Sequence, residues 1–83
     1  MASAQAVLEQ LEQLFRRNGY KLKYLRGTFR SAPCRLYQNK LIVLNTLSPP
    51  LGRVRALASI AEDLRSALDI TPEEEHLIRR WAT

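Results

Sequence analysis

The chain has 83 residues, 46% of them hydrophobic and 25% charged, which specifies one domain spanning residues 1–83 with a single modest core. One cysteine and one histidine exclude an intrachain disulfide and leave a Cys- or His-based zinc site short of ligands. The formal net charge is +5, a balance that favours acidic partners over basic ones.

Residues 3–18 carry Val7, Leu8, Leu11, Leu14 and Phe15 at helical spacing, which predicts an amphipathic helix. Ser3 is its expected N-cap, and Gly19 after Asn18 its stop. The period then falls to two. Tyr20, Leu22 and Tyr24 alternate with Lys21 and Lys23, as in a half-buried strand. Gly27 to Pro33 reads as a loop. A short second strand is expected over Cys34–Tyr37, followed by a tight turn at Gln38-Asn39-Lys40. The unbroken apolar run Leu41-Ile42-Val43-Leu44 predicts a third strand covered on both faces, or one whose open face meets a partner.

Ser48-Pro49 marks the next helix start, with Ser48 as cap and proline in the first turn. Val54, Leu57, Ile60, Ala61, Leu64 and Leu68 extend that helix to about residue 68. Thr71-Pro72-Glu73-Glu74 has capping-box spacing and opens a last helix, with Leu77, Ile78 and Trp81 on its apolar side. The expected class is therefore α+β: an N-terminal helix, a small three-stranded antiparallel sheet and two C-terminal helices (α-β-β-β-α-α). The helices lie on one face of the sheet.

The charges are not evenly mixed. Between Glu12 and Glu62 there is no carboxylate, while Arg16, Arg17, Lys21, Lys23, Arg26, Arg30, Arg35, Lys40, Arg53 and Arg55 fall in that stretch. Such a block is either ordinary solvation of a small domain or a positive face for phosphate, an anionic membrane or an acidic protein. If Tyr20, Leu22 and Tyr24 face the helices, Lys21 and Lys23 face away. Cys34 and Leu36 inward puts Arg35 and Tyr37 outward beside strand three. The expected interaction surface is Lys21, Lys23, Arg35, Tyr37 and an outward Ile42, with the C-terminal Trp81.

No catalytic, metal or cofactor-binding residue is assigned. Glu62 and Asp63 are neighbours and diverge on a helix. Glu73, Glu74 and Glu75 are explained as a helix start. Cys34 has Arg35 beside it but no base in its own segment, and reads as a small buried hydrophobe rather than a nucleophile. No phosphate-cradling glycine loop occurs. The domain is read as a non-enzyme. It has no apolar stretch of membrane-spanning length and no basic segment preceding an apolar leader, so a cytoplasmic location is expected.

The run Leu41-Ile42-Val43-Leu44-Asn45, then Leu47-Ser48, and Ile60-Ala61-Glu62-Asp63-Leu64-Arg65-Ser66 resembles the core of the ImmA/IrrE-type zinc peptidases over residues 41–68. In that alignment Glu62 and Ser66 stand where the family carries its zinc histidines, Asp63 where it carries the general-base glutamate, and Arg65 where it carries glycine. With both imidazoles missing, the resemblance implies a degenerate, inactive relative that retains a protein-binding surface. The outline is also similar to small uncharacterised bacterial proteins. The leading expectation is a non-catalytic domain that binds a protein partner or a second copy of itself. The alternative is a nucleic-acid-binding module using the acid-free segment 13–61. No cofactor is expected.

Overall fold

The computed structural model describes residues 3–27, the backbone of 32–34, and residues 40–82. Helix α1 spans Ala4–Arg17, strand β1 Lys21–Leu25, β2 Ala32–Cys34 and β3 Leu41–Asn45. Helix α2 spans Pro50–Asp63, a 3-10 turn follows at Arg65–Ala67, and α3 covers Pro72–Trp81. The α+β class and the order of elements are those expected.

Helix α1 forms because its apolar residues share one face and both ends are satisfied. Ser3 Oγ accepts from the N–H of Ala6 at 3.1 Å, and Gly19 takes φ 84, a left-handed turn that glycine adopts without a Cβ penalty. The turn folds Tyr20 back under the helix, where its ring meets Phe15 edge-on at 5.6 Å. Val7, Leu8, Leu11, Leu14 and Phe15 are buried.

The sheet corrects the sequence reading. Its strand order is β1-β3-β2, and β1 pairs with β3 in parallel, Lys21 opposite Leu41 and Leu25 opposite Asn45. Only β2 runs antiparallel to β3, so the sheet is mixed rather than all antiparallel. Strand β3 is the most apolar of the three, and the centre is where a strand pairs along both edges. Residues 26–40 supply more than the dozen or so that a parallel return requires. The second strand also begins earlier than expected. Its described part, Ala32–Cys34, includes Ala32 and Pro33, where the sequence suggests a loop. A proline is tolerated there because an edge strand has one side that needs no donor. The expected turn at 38–40 and the rest of that strand lie outside the described residues, apart from Lys40.

The core forms on one side of the sheet. Ile42 and Leu44 of β3 are fully buried with Leu57, Ala58 and Ala61 of α2 and Ile78 of α3. Ile42 is thus a core residue and is removed from the expected interaction surface. In the β3 register it is Leu41 and Val43 that alternate with the buried pair, and both are half-buried.

Helix α2 also differs from expectation at both ends. Its N-cap is Pro49, with no side-chain cap bond. Pro50 at the first helical position has no N–H to be capped, and Ser48 instead offers its carbonyl to Arg53 Nε at 3.2 Å. The helix stops at Asp63 and tightens through the 3-10 turn, so Leu68 leaves in an extended conformation and packs with Ile70 against the core. Helix α3 has the expected capping box between Thr71 and Glu74.

A polar clasp ties the end of α1 to the start of α3. Arg17 donates to both carboxylate oxygens of Glu74, at 2.8 and 2.6 Å. Asn18 Nδ2 donates to the carbonyl of Asp69 at 3.1 Å, and its Oδ1 accepts from the Asp69 N–H at 2.7 Å. The Arg17 guanidinium, with lesser help from Thr71, holds the Glu74 carboxyl below the usual carboxylate range. A carboxyl whose folded pKa is lowered contributes stability above its unfolded value, and that contribution is lost as pH falls through the folded value. Glu74→Gln is therefore expected to unfold at lower denaturant concentration than the parent at neutral pH. The gap should close as pH drops below about 4.3, the ordinary glutamate value. A gap that stays constant between neutral and acid pH in paired denaturation series contradicts this account.

Candidate protein-interaction surface

The parallel pairing sets the faces of β1. Leu22 and Tyr24 share register rows with the buried Ile42 and Leu44 and turn toward the helices. Lys21, Lys23 and Leu25 share rows with Leu41, Val43 and Asn45 and are exposed. The expected outward placement of Lys21 and Lys23 is thus what the fold contains. Arg35 and Tyr37 lie outside the described residues. Trp81 is half-buried and packed against the core, with Arg80 over its ring at 5.6 Å. Its indole N–H is buried with no partner among the described residues. It lies on α3, away from β1 in the chain.

Tyr24 is held by α1. Its hydroxyl donates to Glu12 Oε2 at 2.5 Å and accepts from Arg16 at 2.9 Å. That bond is how Glu12, a buried carboxylate, is satisfied on the helix face. It also anchors the middle of β1 to α1 while the Tyr24 ring remains 39% exposed.

At the carboxyl ends of β1 and β3, Asn45 acts as a clamp. Its Nδ2 donates to the Gly27 carbonyl at 2.7 Å, and its Oδ1 accepts from the N–H groups of Leu47 at 3.0 Å and Gly27 at 3.4 Å. The N–H of Thr46 donates to the carbonyl of Leu25 at 2.8 Å. Two chain segments are thereby joined, and each presents leucine to solvent: Leu25 at 41% and Leu47 at 51%, with Leu51 of α2 at 39%. With Tyr24, these are the large exposed hydrophobics of the described residues. Leu47 and Leu51 were not singled out from sequence, although two leucines flanking Ser48-Pro49-Pro50 were a visible signal, being apolar residues in a segment with no period to bury them.

Among the described residues, Lys21, Lys23, Arg26, Arg53 and Arg55 form no ion pair. The carboxylates that do pair take other arginines: Glu74 takes Arg17, Glu62 and Glu75 share Arg65, and Glu75 also takes Arg79. Arg65 and then Arg79 keep the Glu75 carboxyl below its ordinary range. An open groove of about 510 Å³ beside Arg65, Asp69, Ile70 and Thr71 includes the same Glu75, which is already paired with Arg65.

The residues aligned with the zinc-peptidase motif do not share one helix. Glu62 and Asp63 end α2, and Ser66 falls in the 3-10 turn. Glu62 is bound to Arg65 at both carboxylate oxygens. Among the described residues no group of three or more His, Cys, Asp or Glu side chains is arranged to hold a metal, and no helix is long and apolar enough to cross a membrane. Compared with known proteins, the chain matches no family model, no curated protein and no solved structure.

Burial, followed by the hydrogen bond to Glu12, raises the Tyr24 hydroxyl above the ordinary tyrosine value of 10.0, with Arg16 opposing. Tyrosine is neutral while protonated, so a raised folded pKa gives stability below the unfolded value that is lost as pH rises through the folded one. The phenolate absorbance titration is expected to lose a step above the ordinary tyrosine value in Tyr24→Phe. Loss of a step at or below that value instead is inconsistent with this hydrogen-bonded geometry.

Proposed function

We propose that this domain is a non-catalytic protein-binding module whose contact surface is centred on the joined ends of β1 and β3. The observation that carries the reading is the exposure of Leu25 and Leu47 on the two segments that the Asn45 clamp joins, and of Leu51 in the first turn of α2, with Arg26, Arg53 and Arg55 as cations free of ion pairs among the described residues. An apolar centre with a charged rim is the anatomy of a protein contact. The Asn45 clamp supports it further, because a surface held by buried hydrogen bonds loses little entropy when a partner docks. The non-catalytic part of the reading rests on the state of the titratable groups. Glu62, Glu74 and Glu75 are engaged with arginine, and His76 is exposed on α3 with no carboxylate bonded to it among the described residues. The resemblance of residues 41–68 to a zinc peptidase core is retained here only as a proposed ancestry.

The test is a comparison of captured partners. Leu25→Ser combined with Leu47→Ser alters two exposed positions and leaves the core intact, which circular dichroism verifies. A partner bound by the parent is expected to be lost or weakened about tenfold or more by the double substitution, as for the centre of an interface. Identical partner sets on both proteins sink the proposal.

A second reading has its own observation, the exposed cations Lys21 and Lys23 at alternate positions of β1, which form no ion pair among the described residues. Cations on an exposed surface attract nucleic acid through phosphate, with strong salt dependence. If this reading holds, labelled single- or double-stranded oligonucleotides bind at about 50 mM salt and dissociate at about 200 mM. Absence of binding at the lower salt removes it.

A further inference from the structure

Strand β1 lies at one end of the sheet order, and its hydrogen-bonding pattern identifies which of its backbone groups are left over. The N–H of Lys21 donates to the Lys40 carbonyl at 2.7 Å, and the Leu25 carbonyl accepts from the Thr46 N–H at 2.8 Å. In a parallel register of Lys21 opposite Leu41 through Leu25 opposite Asn45, the odd-numbered residues of β1 therefore bond to β3. Leu22 and Tyr24 direct their N–H and carbonyl groups away from it. No backbone partner for these groups occurs among the described residues. Four of the five β1 residues are exposed, and no strand among the described residues pairs with this edge.

An open edge of this kind is a template for another strand. Its side chains choose the occupant. A second copy adding through the same edge brings lysine-bearing rows together, which like charge disfavours. The same two lysines, spaced at the strand period and unpaired, attract a strand with carboxylates at every second position. The residues between those carboxylates then lie beside Leu22 and the exposed ring of Tyr24, on the helix side. Nucleic acid uses the cations but gains nothing from the free N–H and carbonyl groups.

We infer that the free edge of β1 binds an extended acidic segment of a partner protein by strand addition, with Lys21 and Lys23 reading alternate carboxylates. This inference rests on the protein-binding reading and specifies a partner class for it. Tyr24 supports the edge by tethering it to Glu12 and Arg16 of α1, so the template is held in place before the partner arrives.

The probe is a blocked peptide of about seven residues, a typical strand length, alternating valine and glutamate. Its lysine counterpart is the control, and both are added to the whole chain at about 50 mM salt, where charge pairing is weakly screened. The acidic peptide is expected to bind saturably and to slow amide hydrogen exchange at Leu22 and Tyr24 by about tenfold or more, since pairing withdraws an open N–H from solvent. Lys21→Glu with Lys23→Glu is expected to weaken that peptide about tenfold and to accept the lysine peptide instead. Because both lysines are exposed, the variant keeps the fold, which circular dichroism checks. No binding of the acidic peptide, or binding with unchanged exchange at Leu22 and Tyr24, overturns the inference. So does displacement of the peptide by a DNA duplex that leaves those amides unprotected. In each of these cases the protein-binding reading is judged separately, by whether Leu25→Ser with Leu47→Ser still releases a captured partner.

Discussion

Burial of the inner face of β3 is the constraint on which the other elements depend. Ile42 and Leu44 are fully buried with residues from all three helices, and a domain this small has no second core to fall back on. Helix α1 supplies five apolar residues in one stripe. Helix α2 buries alanines at Ala58 and Ala61, and it packs chiefly on α1 and α3. Once β3 occupies the centre, β1 and β2 are left as edges, one pairing in parallel and one antiparallel.

The electrostatics follow from where the carboxylates are used. Glu74 closes its own helix cap and grips Arg17 with both oxygens, so one side chain joins the first helix to the last. Glu75 and Glu62 bind Arg65 where the chain turns from α2 toward α3. These bonds lock the helical side of the molecule and leave Lys21 and Lys23 of β1 and Arg53 and Arg55 of α2 without an ion-pair partner among the described residues. A surface with cations free of ion pairs beside exposed leucines is suited to an acidic, partly apolar partner, since charge steers the encounter and apolar contact retains it.

A strand edge and an apolar end are compatible parts of one contact. Leu25 terminates β1, and the Asn45 clamp fixes Leu47 next to it through Gly27. A segment paired along β1 in either direction therefore has one end near these leucines. Tyr24 binds the same strand to α1, so both the middle and the end of β1 are restrained by buried or half-buried polar groups. Preorganisation of this kind lowers the entropic cost of recruiting an extended chain.

Local chemistry determined the elements. Ser3, Gly19 and the Thr71-to-Glu74 box all act as their residue types require, because capping is decided within a few residues of chain. The alternation in Lys21–Leu25 likewise determined which side chains face solvent, since a strand has period two wherever it pairs. Strand order did not follow from the sequence. The sequence left that order open, and β3 lies between β1 and β2, because its continuous apolar run gains most from a central position. The same preference buried Ile42, which sequence had left free to face outward. The length of α2 was also misjudged: the apolar period continues to Leu68, but the 3-10 turn interrupts it so that α3 can fold back onto α1. The free edge of β1 and the leucines at its end exist only in the tertiary structure. They depend on which strand pairs with which, and pairing is decided by burial summed over the whole chain, not by any short stretch of it.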